Sequence, residues 1–282
     1  LAACTPPSPL PPEQVLEKTS IAMHDVQSVR FEGAGKYEGN SPLGPQSILD
    51  IGIQGRLQRE HSQLQLSLSL NGSTAQQPLE MDAEIIVAGP EETYFNVTKL
   101  TSGNPASPLS SPFLELLLKQ WWHLPAGSTS PGTSVTPDPM LLELQSQAIR
   151  VTRDLGLETI NGASSYHYET EIDREKLKSF LEQLANERNQ PFDAVQWDKD
   201  FGSTEMKGEV WIDAATFYLR RVRWNIVRNS QQPASSLTFD IVFSDHNKAP
   251  VITPPAEAKE LPSLPDLLPP SLFAPTGETS SE

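Results

Sequence analysis

The sequence predicts an α+β fold: a single curved antiparallel sheet, a half-barrel of about nine to eleven strands, with helices packed on its concave face. Three observations predict it. Leu64, Leu66, Leu68 and Leu70 alternate with Gln63, Gln65, Ser67 and Ser69, and a period of two places one set on each face of a strand. Similar alternating runs follow one another across short turn-like segments, without the crossover helices that a parallel sheet requires. Helical periodicity is confined to a few segments.

Each element has its own signal. Residues 13–26 carry Val15, Leu16, Thr19, Ala22, Met23 and Val26 on one helical stripe, with Pro12 and Glu13 suited to the first turn. Strand-like runs follow at residues 28–38, 47–58, 63–70, 79–89 and 93–100, the last two separated by Gly89-Pro90-Glu91-Glu92, a turn-forming stretch. Residues 101–112 read as a Ser/Pro/Gly loop. Residues 112–124 read as a dense helix, apolar around most of its circumference, which suits a buried or cavity-facing position. A second loop covers 125–139 and a short helix 140–147. Strands resume at 148–157, and Asn161-Gly162 is a strong turn signal before the run at 165–172. Asp173 is a good N-cap for a helix reaching about Arg188. Residues 205–213 and 217–228 form a hairpin pattern, and 235–245 a last strand. The tail from Pro250 is rich in proline; order is expected to about Glu260 and disorder beyond it.

The N-terminus reads Leu1-Ala2-Ala3-Cys4, with no other cysteine in the chain. Small residues before a lone cysteine match a bacterial lipobox, in which Cys4 becomes the acylated first residue of the mature protein. The preceding apolar stretch of a secretory signal is not part of the sequence. Residues 5–12, TPPSPLPP, favour polyproline II and form a semi-rigid tether of roughly 25 Å. The expected organisation is therefore a lipidated terminus at 1–4, a tether at 5–12, one folded domain at 13–260 and a proline-rich tail at 261–282. Two or three acyl chains of the palmitate type would hold the chain stably at the extracytoplasmic face of a bacterial cell membrane.

Composition narrows the function. Lys and Arg number 21 against 36 Asp and Glu, a net charge of −15. That balance argues against nucleic acid and against electrostatic adhesion to anionic headgroups. One cysteine excludes an internal disulfide and a thiolate metal cluster. His24, His61, His123, His167 and His246 lack metal-ligand spacing, and no nucleophile elbow, phosphate loop or dinucleotide fingerprint occurs. No catalytic residue, metal or cofactor is expected, and the protein reads as a non-enzyme. The candidate site is instead apolar. The ladder Leu64, Leu66, Leu68 and Leu70, with Phe113, Leu116, Leu117, Trp121 and Trp122, offers more apolar side chain than a two-layer core needs. These nine residues are the expected cavity lining.

Several stretches carry a family resemblance: Ser28-Val29-Arg30-Phe31-Glu32-Gly33 after the first helix; Leu157-Glu158-Thr159-Ile160-Asn161-Gly162 leading into Tyr166-His167-Tyr168; Gly208-Glu209-Val210-Trp211-Ile212-Asp213 leading into Leu219-Arg220-Arg221-Val222; and Val251-Ile252-Thr253-Pro254-Pro255-Ala256-Glu257-Ala258. The sequence resembles LolA-like and LppX/LprG-like bacterial lipoprotein carriers over residues 13–260. The resemblance implies a half-barrel whose helices cover a hydrophobic cavity, and transport of a lipid or other amphiphile. It transfers no single binding residue. The long loops and the proline-rich tail depart from the pattern. The alternative is an envelope protein-interaction or stress-sensing module of the same fold with a filled core.

Overall fold

The computed structural model describes residues 10–41, 44–59, 63–89, 92–103, 117–124, 148–187, 191–229 and 234–261. Helix α1 (Pro12–His24) leads into five strands, β1 (Ser28–Ser41), β2 (Gly44–Gln58), β3 (Gln63–Thr74), β4 (Gln77–Gly89) and β5 (Glu92–Ser102). Then come β6 (Trp122–Leu124), β7 (Ile149–Ile160), β8 (Ala163–Ile172), helices α2 (Arg174–Glu187) and α3 (Ala194–Phe201), β9 (Thr204–Asp213), β10 (Leu219–Arg228), β11 (Ser235–Ser244) and β12 (Lys259–Glu260). All twelve strands form one sheet in the order β12-β6-β5-β4-β3-β2-β1-β11-β10-β9-β8-β7. The expected architecture is the one found, a large curved and unclosed antiparallel sheet with few helices. The strand count exceeds the expected range because β6 and β12 are short edge pieces; among the described strands β12 and β6 form the parallel pair.

The topology follows from two meanders. β1 to β5 spread to one side by successive hairpins, and β7 to β11 to the other. They join where β1 pairs with β11, setting Phe31 against Phe243 and Gly33 against Ile241. At the β7–β8 turn Asn161 (φ 49°) and Gly162 (φ 80°) take the left-handed conformation that a two-residue hairpin loop demands. The helices are capped as their sequences require: Asp173 accepts from the Lys176 backbone N–H at 3.1 Å, and Asp193 from that of Gln196 at 2.9 Å. Helix α1 lies on one face of the β7–β10 end, where Val15 and Tyr168 are fully buried with Val210 and Ile212.

After β11 the chain doubles back as a strap along the ends of the central strands. Asn247 donates its backbone N–H to Ser28 O at 2.7 Å, and Gln58 Nε2 donates to Pro250 O at 3.0 Å. The strap ends at β6, where the N–H groups of Lys259 and Leu261 reach Trp121 O and His123 O.

One expectation is corrected. The apolar run at 112–124 does not end as a helix: Trp122–Leu124 is strand β6, with Phe95 opposite Trp122. Lys119 at φ 61° breaks helical continuity, and Leu118 bridges to Val97. An unpaired β5 edge accepts this segment, and backbone pairing there overrides the local apolar pattern. The expected helix at 140–147, residues 104–112 of the first loop, the whole of the second, Cys4, residues 5–9 of the tether and the tail beyond Leu261 lie outside the described residues. Leu10 of the expected tether instead packs against the Val15–Tyr168 core, and Pro12 opens α1.

Candidate functional site: an apolar trough on the sheet

Because side chains alternate, the antiparallel register sorts them into one apolar and one polar face. Three cross-strand rows fill the middle of the apolar face. The first runs Phe95, Ile85, Leu66, Gly55 and Phe31; the second Val97, Ala83, Leu68, Ile53 and Gly33; the third Leu100, Met81, Leu70, Ile51 and Gly35. All fifteen residues are partly buried, and none of them is fully buried. The rows continue across β11 and β10 through Phe239, Ile241, Val222 and Trp224, which are partly buried as well.

The two ends of this region are closed. At the strap end Val29, Leu64 and Val87 are buried, together with Ile252 of the strap itself at 2% exposure. At the opposite end Leu49 is buried to 4% exposure and Leu79 to 1%. Between them lies an apolar trough crossing the strands. Its floor is lowered where glycine replaces a side chain. A Cβ at Gly55 would sit 2.6 Å from Phe31 Cζ, and one at Gly208 2.7 Å from Trp224 Cδ2, so both rings lie flat over bare backbone. Substituting either glycine would lift the ring into the trough.

The other face is polar and charged. A shallow groove of about 480 Å³ is lined by Glu32, Gln54, Ser67, Ser69, Asp82, Glu84 and Thr98 over Gly52. Farther along, His167 stacks on Trp211 at 4.2 Å, with its Nδ1 3.0 Å from Glu158 and its Nε2 2.7 Å from Glu209. The Trp211 Nε1–H donates to Glu158 at 2.7 Å, and the Arg221 guanidinium lies 4.8 Å from the indole. Arg221 also grips Asp240 through two nitrogens. That hydrogen bond holds the Asp240 carboxyl below the usual carboxylate range, against the opposing effect of burial. Burial alone would raise Asp213, but donors from Thr216, Arg220 and Ala215 outweigh it and its carboxyl also lies low. These pairs knit neighbouring strands. Among the described residues no group of three or more His, Cys, Asp or Glu side chains has the geometry to hold a metal ion.

Of the residues singled out from the sequence, the leucine ladder divides. Leu66, Leu68 and Leu70 line the trough, whereas Leu64 is buried at its end. Leu117 is buried, and Trp122 is buried with its Nε1–H donating to Leu117 O at 3.0 Å. Trp121 is partly buried beside them. Phe113 and Leu116 lie outside the described residues. Sequence reading missed the partners of the ladder as site residues: Ile51, Ile53, Met81, Ile85, Phe95 and Val97. Their own period-two pattern was visible, but only the register shows which of them share the leucine rows.

Taken together, these features define an open half-sheet with a long apolar trough on one face and no assembled catalytic group among the described residues. Among solved structures, the chain is similar to the crystal structure of Mycobacterium tuberculosis lipoprotein LppX, at 15% identity and a TM-score of 0.39, covering 86% of this chain and 100% of that one. No protein-family model matches the chain, and no curated protein matches it.

Proposed function

We propose that this protein is an extracytoplasmic carrier, anchored to the membrane through an acylated Cys4, that binds the apolar part of a lipid or other amphiphile in the trough. The observation that carries this reading is the partial burial of three complete apolar rows between closed ends. Each methylene removed from water contributes ~0.8 kcal/mol, so one long acyl chain laid on this surface gains about 10 kcal/mol before the ordering costs of binding are subtracted. The mechanism is partition: apolar side chains replace water around the tail, and no bond is made or broken. The proline-rich residues 5–9 ahead of the folded domain serve as a tether that lifts it from the bilayer while keeping it within reach of lipid.

The test is uptake of a fluorescent fatty acid by the purified protein, paired with solvent extraction of gently isolated material. Saturable uptake that Leu68→Asp abolishes, with the fold intact, supports the reading. No extractable lipid and no uptake would end it, and would favour the filled-core interaction module.

A further inference from the structure

The strap delivers the chain to one edge of the trough. Lys259 aligns with Trp122 and Glu260 with His123. The Glu260 carboxylate meets His123 Nδ1 at 2.8 Å on the polar side, so alternation turns Leu261 to the trough side, where it is partly buried. The chain then continues as PSLPDLLPPSLFAP. Prolines at 262, 265, 269, 270 and 275 disfavour a helix or an added strand in this sequence and favour polyproline II. That helix repeats every three residues, which puts Leu261, Leu264, Leu267, Pro270 and Phe273 along a single edge. Asp266 is the sole charge from Leu261 to Pro275. Leu261 to Phe273 spans roughly 37 Å at ~3.1 Å per residue. The trough from β6 to β9 is roughly 38 Å across at about 4.8 Å per strand.

We propose that residues 262–273 lie along the apolar trough of their own chain, leucine edge down, so that an incoming amphiphile must displace them. Point of departure, length, periodicity and lack of charge all fit this occupant. The contact stands whether or not the trough takes up an amphiphile.

The test uses the full chain. With p-benzoylphenylalanine in place of Phe273, irradiation is expected to give intramolecular cross-links to peptides of β1–β5, β10 or β11. In a second arm, the triple variant Leu264→Ser, Leu267→Ser, Phe273→Ser is expected to raise the fluorescence of added 1-anilinonaphthalene-8-sulfonate at least five-fold. A synthetic peptide of residues 261–274 should reverse the rise. Cross-links confined to other surfaces, cross-links that form only between two copies, or equal dye fluorescence in variant and parent would each overturn the proposal. Cross-links to the trough without fatty-acid uptake by the triple variant would uphold this contact and remove the carrier reading. Uptake without cross-links would do the reverse.

Discussion

The two halves of the sheet share one alternation and differ in what lies on top of it. At the β7–β10 end, α1 presses Val15 onto Tyr168, Val210 and Ile212, and all four are buried. In β2–β5 the equivalent rows, with Leu66, Leu68 and Leu70 among them, remain partly exposed. The difference teaches that apolar patterning marks the face of a strand but not its cover. Packing under α1 turns the β7–β10 face into a core, whereas the same pattern in β2–β5 leaves its rows half-exposed.

The sharpest way to break this comparison is to place a charge in each half. Val15→Asp buries an unpaired carboxylate and is expected to cost about 4 kcal/mol or more in denaturant unfolding. Leu68→Asp should cost about 1 kcal/mol, because water reaches the new side chain, while fatty-acid uptake falls at least ten-fold. If both variants unfold alike, the trough is core and the contrast is wrong. Truncations sharpen it next: Leu79→Ala, at a closed end, should cost about 3 kcal/mol, and Leu70→Ala, within the trough, about 1 kcal/mol.

The polar network supplies an intermediate effect. Asp213→Asn should cost about 2 kcal/mol by weakening its bonds to Arg220 and to the turn N–H groups. The sign of its pH dependence follows from the lowered carboxyls of Asp213 and Asp240. Their stabilisation is full above the unfolded carboxylate range and is lost as pH falls below about 4. His246, which is pushed down first by burial and then by Arg220, adds a loss that begins below about pH 6.5. Thermal unfolding from pH 8 to 3 checks both windows, and the Asn variant should flatten the lower one.

The smallest expected effect is a gain. Among the described residues Tyr168 Oη is buried with no hydrogen-bond partner, and burial pushes its pKa up, disfavouring the phenolate. Tyr168→Phe should therefore stabilise the covered half by about 1 kcal/mol. It should also remove a loss of stability that the parent shows as pH rises beyond about 10.

Much of this arrangement was legible in the sequence, because a period of two is a local signal. The leucine ladder, the Asn161-Gly162 turn and the β9–β10 hairpin are read from neighbouring residues. What was not legible depends on distant ones. β6 was read as helix because a run as apolar as Leu116–Leu124 suits either structure, and only the free edge of β5 decides between them. The strap and β12 are held by backbone bonds to Ser28, Trp121 and His123, for which residues 245–261 carry no local signature. Half of the trough escaped notice for the same reason: Phe31 and Phe239 join the leucine rows only through registers linking remote segments.

The β1–β11 pairing carries a kinetic consequence. β1 is made ahead of every other described strand, yet one of its two neighbours, β11, is the last of the long strands among the described residues. Loop closure over so great a separation is slow. Until residues 235–244 arrive, the β1 edge stays unpaired, with its backbone donors and acceptors open to any passing strand. The seam between the meanders, more than the greasy surface they share, is where a newly made copy is most exposed to misassembly and where a chaperone would have most to protect.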